Sequence, residues 1–273
     1  MQNISNQLLE MKYELRQSIK RQLWRRGWKN GDLAAAANLY PSDFSNFMNV
    51  NGTRTFPIDA IDTITETFGL PIGEYYPLYF GECYNKDKII KHRFEEFLYR
   101  CKVNHFHQLS EQILSAIVTE KNSHLDVVFV VANRLFEEKK LEEALPLIEL
   151  IIEHDPNRSA QRLATCYFYR FFIVRDKSME QGYQALVQML EYITYMPHDV
   201  QLEAYMRIIT FFYAREDWQF VWEYGKKLEH LAKEGKYYGE ALLYQSFVAK
   251  AWGKIEEALE ITSKYEQVND YYK

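Results

Sequence analysis

A repeated helical-hairpin pattern in the second half of the chain most constrains the fold. The segment 132–157 reads ANRLFEEKKLEEALPLIELIIEHDPN: an apolar helix, a Lys-Lys turn, then a second apolar helix closed by Asp-Pro. The stretch GKIEEALEITSKYEQ, at 253–267, repeats the middle of this unit. Small residues recur at the same place in the second helix, with spacings of 41, 36 and 37 residues: Ala144, Ala185, Val221 and Ala258. Repeats of this length predict stacked helix pairs.

This unit resembles a tetratricopeptide repeat, in a degenerate and slightly long form. We therefore predict an all-α fold whose residues 87–273 form a right-handed α-solenoid of tetratricopeptide-like repeats, beginning with a divergent helix pair at 88–103 and 109–120. The low content of glycine (11) and proline (7) also argues against a turn-rich all-β fold. The chain stops at 269–273, just after a second helix, where a polar capping helix is expected. We expect a C-terminal portion to be missing there.

Four shorter helices are predicted before the repeats. The first carries an apolar stripe at three- and four-residue spacings (Leu8, Met11, Leu15, Ile19 and Leu23) and ends at Gly27. The second begins at Asp32, a favourable N-cap, and is rich in alanine. The third follows Pro41, with Phe44, Phe47 and Met48 turned inward. The fourth begins near Pro57 and stops at Gly69.

The run WKNGDLAAAANLYPSDFSNFMNVNGTRTFPIDAIDTITETFGLP, at 28–71, resembles the phage-repressor (Cro/CI-like) helix-turn-helix. The resemblance implies a DNA-binding domain over residues 1–71, with the third helix in the major groove. The residues that it would place on DNA are Arg25, Arg26, Lys29, Asn30, Ser42, Asp43, Ser45, Asn46, Asn49 and Arg54.

Within this set, the polar residues of the third helix would face the bases and the basic residues would lie near phosphates. Asn46 is the best base reader, since its amide can pair with adenine N6 and N7. The third helix has no Arg or Lys of its own, and Asp43 adds a negative charge to it. We therefore expect a dimer to bind, with phosphate contacts supplying most of the affinity.

The charge is unevenly distributed along the chain. Residues 1–60 hold eight bases and five acids, whereas the remainder holds 25 bases and 33 acids. Six bases lie between Arg16 and Lys29 with no acid among them. A basic head on an acidic body favours nucleic-acid binding, although a solvated helix face would give the same pattern.

An aromatic connector, residues 72–86, separates the two predicted domains. It could act as a hinge, which a ligand switch would exploit. We favour the alternative, in which its aromatic side chains pack the head onto the first helix of the body.

Helical repeats present the first helix of each pair on a concave surface that suits extended peptides. Alignment of the other first helices with the unit at 132–157 predicts which residues lie on that surface: Asn133, Tyr167, Arg170, Arg207, Thr210, Tyr213, Tyr244 and Phe247. Asparagine can pair with a peptide backbone, arginine can hold a carboxylate with two hydrogen bonds, and tyrosine can flank side chains. For any single member, a purely structural role is the simpler interpretation.

The sequence gives no support for catalysis, a metal site or a cofactor. It contains no HExxH, GxSxG, GxGxxG or phosphate-binding glycine loop. Cys83, Cys101 and Cys166 are far apart in apolar surroundings and are predicted to be buried. The longest uninterrupted apolar run is only six residues, 127–132. We expect a non-enzymatic, soluble, cytoplasmic protein with no membrane partner.

The order of these parts, with the stretch ECYNKDKIIKHRFEEFLYRC at 82–101, resembles the peptide-responsive RRNPP regulators of Gram-positive bacteria and their phages. Within that group, the chain most resembles the arbitrium receptors of the lysis–lysogeny decision and their chromosomal relatives. The resemblance implies a transcription factor that dimerises through its repeats, binds double-stranded DNA and senses a short signalling peptide. The alternative is a repeat scaffold or inhibitor that binds a protein partner and no specific DNA sequence.

Overall fold

The computed structural model describes residues 2–49, 54–85, 88–119 and 124–268, with side chains described from Asn6 onward. Over these residues the chain forms fifteen α-helices and a single pair of β-strands of two residues each. This confirms the all-α prediction. It divides into two compact units, residues 1–143 and 144–273. The predicted missing portion beyond 269–273 lies outside the described residues.

The first unit holds eight helices and the start of a ninth. Their bounds are α1 Gln2–Arg26, α2 Asn30–Ala36, α3 Pro41–Met48, α4 Ile58–Thr67, α5 Tyr76–Tyr79, α6 Lys91–Val103, α7 His107–Thr119 and α8 Leu125–Glu137; α9, Leu141–His154, crosses into the second unit. A 3₁₀ turn, Phe80–Cys83, follows α5.

Four of the five residues of the predicted apolar stripe of α1 are buried. Leu15 and Ile19 are fully buried, Leu8 and Leu23 are nearly so, and Met11 is half-buried. The helix ends at Gly27, which has φ +67°, a left-handed conformation that favours glycine. This stripe packs on α5 and on the 3₁₀ turn.

The start of the second helix differs from the prediction. Helix α2 begins at Asn30, so Asp32 is not its N-cap but the third residue of its first turn. From there its Oδ2 accepts a hydrogen bond, 2.7 Å long, from the backbone N–H of Lys29. A carboxylate at this position caps an exposed N–H, and its negative charge interacts favourably with the positive end of the helix dipole. Helix α4 begins after Pro57, and Gly69 follows its end with φ +62°.

The connector contains a feature that the helical pattern did not predict. Strands β1 (Tyr84–Asn85) and β2 (Lys88–Ile89) form an antiparallel pair, and α6 therefore starts at Lys91 rather than at residue 88. Two residues per strand are too few to show an alternating pattern in the sequence.

The connector aromatics pack against the first helix that follows, as we favoured over a hinge. The rings of Tyr76 and Tyr79 meet Phe97 of α6 edge-on, at centroid distances of 5.5 and 5.0 Å. Phe80 meets Phe94 in the same way at 5.8 Å. Such pairs add to the stabilisation from burying the rings.

The second unit consists of helices, most of which pack on the next helix along the chain. Their bounds are α10 Gln161–Val174, α11 Met179–Tyr192, α12 His198–Tyr213, α13 Trp218–Ala232, α14 Gly235–Ala251 and α15 Ile255–Glu266. Alternate helices also touch, since α12 packs on both α10 and α14.

The four repeated small residues are all buried. Ala144 and Val221 have no exposed surface, and Ala185 and Ala258 have little. They lie on α9, α11, α13 and α15, the second helix of each predicted pair. A small side chain at that place lets two helix backbones approach closely.

In the part of the chain that is described, no helix is long and apolar enough to cross a membrane.

Candidate nucleic-acid interface and peptide-contact residues

Helix α3 buries its apolar side and presents its polar side to solvent. Phe44 and Met48 are buried, whereas Ser42, Ser45 and Asn46 are exposed. Within the described residues these three polar side chains make no hydrogen bond. Their donors and acceptors are therefore available to a ligand. Asn49, the C-cap of α3, is also exposed.

Asp43 and Arg54 lie together beside this polar face. The Arg54 guanidinium donates to the Asp43 carboxylate, and both side chains remain partly exposed. The prediction placed Asp43 toward bases and Arg54 near phosphates, as separate contacts. The pair instead neutralises the only acid of α3, which reduces the repulsion that a phosphate backbone would meet.

The six bases between Arg16 and Lys29 do not form one solvated face. Arg16 is 1% exposed and belongs to the core, which corrects its place in the basic run. Arg26 is exposed, but its guanidinium donates to the carbonyl oxygen of Phe68 and lies over the Phe68 ring. It therefore joins α1 to the end of α4.

The other predicted phosphate contacts remain at the surface. Arg25, Lys29 and Asn30 are exposed, and their side chains make no hydrogen bond or ion pair among the residues described. Lys29 and Asn30 lie at the start of α2, which packs on α3. The two cations, Arg25 and Lys29, could contact a polyanion without first breaking an ion pair.

The buried Arg16 side chain holds the end of α3. Its Nε donates to the carbonyl oxygen of Phe47, 2.8 Å away, and its Nη1 donates to the Glu82 carboxylate at 2.5 Å. The other carboxylate oxygen of Glu82 accepts from the backbone N–H of Phe56 at 2.8 Å. A charge pair in the interior persists only when its remaining hydrogen-bonding groups are satisfied, and here both ions have backbone partners.

Helix α6 also holds the backbone just before α4. Arg93 donates to the carbonyl oxygens of Thr55 and Phe56, and the Tyr79 hydroxyl donates to the latter at 3.2 Å. Burial raises the pKa of the Tyr79 hydroxyl, so it stays a neutral donor. The polar face of α3 thus rests on a support formed by α1, the connector and α6.

A second contact joins α4 to α6. Arg100 pairs with Asp59 and, at 3.2 Å, with Asp62, which accepts from the Tyr76 hydroxyl at 2.8 Å. Partial burial raises the pKa of Asp62, although Tyr76 and Arg100 act in the opposite direction.

In the second unit, three of the predicted peptide contacts come together. The Tyr213 ring lies 5.1 Å from that of Tyr244 and 5.9 Å from that of Phe247, measured between centroids. Tyr213 and Phe247 are exposed, and Trp218 adds a fourth ring at 5.6 Å from Tyr213. We call Tyr213, Trp218, Tyr244 and Phe247 the aromatic cluster.

Arg207 and Thr210 lie on α12, as Tyr213 does, but both have partners. The Arg207 guanidinium donates to Glu203, which also accepts from the Tyr237 hydroxyl at 2.7 Å. The Thr210 hydroxyl donates to the Arg207 carbonyl oxygen at 3.0 Å. Arg207 could bind a carboxylate only by sharing or exchanging Glu203.

The remaining predicted contacts take up structural positions. Tyr167 is 8% exposed and stacks on Tyr192 at 4.1 Å. Arg170 contacts Glu149 and Gln188, so it joins α10 to α9 and α11. Asn133 belongs to the first unit, where its amide donates to Glu137 at 2.8 Å.

The second unit also contains a cavity that the sequence pattern did not reveal. It measures about 500 Å³ and lies between the start of α11 and the end of α12. Its lining residues include Met179, Tyr183, Phe211, Phe212 and Arg215. The Arg215 guanidinium covers the Phe211 ring at 3.5 Å, so this cation serves packing. The exposed apolar residues Met179 and Tyr183, four apart on α11, are the signal that could have indicated it.

All three cysteines are free and buried, as predicted. Burial raises the pKa of each thiol, that of Cys101 to about 12, which keeps the reactive thiolate scarce. Among the described residues, no group of three or more His, Cys, Asp or Glu side chains could hold a metal ion.

No protein-family model, curated protein or solved structure matches this chain.

Proposed function

We propose that this protein is a DNA-binding transcriptional regulator whose second unit senses a short signalling peptide. In this proposal α2 and α3 form a helix-turn-helix, and α3 enters the major groove. The helix pairs from α8 to α15 are tetratricopeptide-like repeats of a right-handed solenoid. The protein would act in the cytoplasm as a homodimer, as a regulator of quorum-sensing or lysis–lysogeny type and not as an enzyme.

The observation that carries the DNA-binding proposal is the polar face of α3. Ser42, Ser45 and Asn46 are exposed and make no side-chain hydrogen bond within the described residues, although α3 itself is fixed from behind by Arg16. Rigid support is what base reading requires, since a bidentate contact tolerates little displacement. A helix that served only to dock another protein would be expected to expose apolar side chains instead.

The aromatic cluster supports the peptide-sensing proposal. Exposed aromatic rings next to a guanidinium suit a short peptide, because the rings bury side chains and arginine pairs with a carboxylate. Tyr213 and Phe247 offer the rings, and Arg207 on the same helix as Tyr213 offers the cation.

Regulation requires that the peptide bind two conformations with different affinity. Operator half-sites lie about 34–36 Å apart, or multiples of this, so a change in the spacing of two heads would alter binding. The peptide would thus control the protein through the geometry of the dimer.

Binding to genomic fragments in a gel-shift assay tests the DNA-binding proposal. We expect a sequence-selective complex that weakens steeply with salt, with Asn46→Ala losing affinity at some sequences and not at others. Equal affinity for genomic fragments and for random DNA would refute the DNA-binding proposal. It would favour a repeat scaffold that binds a protein partner.

A further inference from the structure

Helix α1 exposes a row of apolar side chains that no other described residue of the chain covers. Leu9 and Tyr13 are each 53% exposed, and Trp24 is 85% exposed. About 100° separates successive residues around a helix, so these three side chains fall within an arc of roughly 60°. They extend along about 22 Å of the helix. A row of large apolar side chains this exposed is typical of a contact surface.

A row of charged residues runs beside this apolar row. Glu10 and Glu14 lie toward the N-terminal half of α1, and Arg21 and Arg25 toward the C-terminal half. By the same helical geometry the four fall within an arc of roughly 60° on one side of the apolar row. The charge of this row therefore reverses along the helix.

We propose that α1 pairs with α1 of a second copy of this chain, in antiparallel orientation. A two-fold contact must be self-complementary, because the same surface serves both partners. Antiparallel pairing places the acidic half of one row against the basic half of the other. A parallel two-fold pair would place the two charged rows on opposite sides of the contact, so that neither row could complement the other.

One register satisfies both rows. With Gln17 at the two-fold axis, Leu9 of each copy lies opposite Trp24 of the other, and Glu14 lies opposite Arg21. Lys20 lies within the arc of the apolar row, and this register brings its ammonium against the Tyr13 ring, a favourable contact. Within one chain Arg21 already pairs with Glu14. In the dimer each of these residues would exchange its partner in the same chain for the equivalent residue of the other copy.

This contact lies in the first unit, whereas the resemblance noted above implies dimerisation through the repeats. The proposed α1–α1 contact goes beyond the proposed function. Because it is measured without DNA, absence of this contact can be distinguished from absence of DNA binding. Arg25 is also a predicted phosphate contact, and the charge exchange below therefore uses only Glu14 and Arg21.

Cysteine cross-linking of the full chain tests the register. The native cysteines are buried, so a new surface thiol is the one that reacts. Under mild oxidation Gln17→Cys should form a disulfide-linked dimer, and the control Glu10→Cys, far from the axis, should not. Equal cross-linking of the two variants, or none for Gln17→Cys, would overturn the proposal.

Sedimentation of substituted proteins tests the contact itself. Leu9→Glu should raise the dimer dissociation constant roughly tenfold, with unchanged helical circular dichroism. The matched control is Leu259→Glu on α15, where the leucine is 65% exposed, and it should leave the constant unchanged. Glu14→Lys should weaken the dimer, and adding Arg21→Glu should restore it. A wild type that is monomeric would contradict the proposal. So would a dimer dissociation constant that Leu259→Glu raises and Leu9→Glu leaves unchanged.

Discussion

The Arg16 guanidinium lies 2.5 Å from the Glu82 carboxylate, with both side chains buried. This pair joins the basic N-terminal helix to the connector, and its hydrogen bonds reach Phe47 in the last turn of α3 and Phe56 just before α4. The buried Arg16–Glu82 ion pair thereby supports α3, whose polar face we propose to contact DNA.

Removal of either partner should destabilise the first unit strongly. Glu82→Gln leaves the Arg16 charge buried without a counter-ion, and a loss of this kind costs about 3–5 kcal/mol in the free energy of unfolding. Urea denaturation followed by circular dichroism measures it. The double variant Arg16→Met/Glu82→Gln should lose less than the two single variants together, because no buried charge remains. Additive losses would show that the two ions act independently.

Arg26 and Lys29 should separate stability from DNA binding. Arg26→Ala removes the hydrogen bond to Phe68 and the guanidinium over its ring, so it should lower Tm and cost about 1–2 kcal/mol. Lys29→Ala keeps the backbone N–H that Asp32 caps, so Tm should hardly change. It should instead weaken DNA binding at all sequences and reduce the slope of log K against log salt by about 1. If Lys29→Ala leaves that slope unchanged, Lys29 is not a phosphate contact.

The Asp62 carboxyl should give the first unit a specific pH dependence. Its pKa in the folded protein is raised above the ordinary 3.8, chiefly by burial. A raised carboxyl pKa contributes stability that is fully present below the unfolded pKa and is lost as pH rises through the folded pKa. Relative to Asp62→Asn, the wild type should therefore lose unfolding free energy as pH rises from below 3.8 through the raised pKa of the folded state. The opposite trend would show that the pairing with Arg100 outweighs burial.

The aromatic cluster should decide the response to a peptide. In a thermal-shift screen of short synthetic peptides, a hit should raise Tm of the wild type, since a ligand that binds only the folded state stabilises it. Phe247→Ala should remove most of that shift. Tyr183→Ala, at the cavity between α11 and α12, is the matched aromatic control and should retain it. The reverse result would place the peptide at the cavity.

Local pattern predicted the parts of the fold that depend on neighbouring residues. The stripe of α1, the end at Gly27 and the inward Phe44 and Met48 follow from helical spacing and from the φ that glycine allows. The repeat spacing also predicted that Tyr213, Tyr244 and Phe247 belong together, because corresponding positions of successive first helices become neighbours.

The features that the sequence does not predict depend on distant partners. In the sequence Arg16 is one more base of a charged run, and nothing near it indicates Glu82, 66 residues away. The position of Asp32 before the apolar run predicts an N-cap, whereas its carboxylate caps from inside the first turn. Arg170 and Tyr167 carry chemistry that suits a ligand, but their neighbours Gln188 and Tyr192 come from another helix.

Selection of bound genomic fragments by wild type and by Asn46→Ala, at matched salt, tests whether α3 reads DNA. We expect the wild type to enrich a small set of sites with two related half-sites. Asn46→Ala should change the preference at one position in each half-site and keep its general affinity for DNA. Enrichment of the same sites by both proteins would contradict the assignment of α3 as the reading helix. Enrichment of no site by the wild type would contradict the function itself.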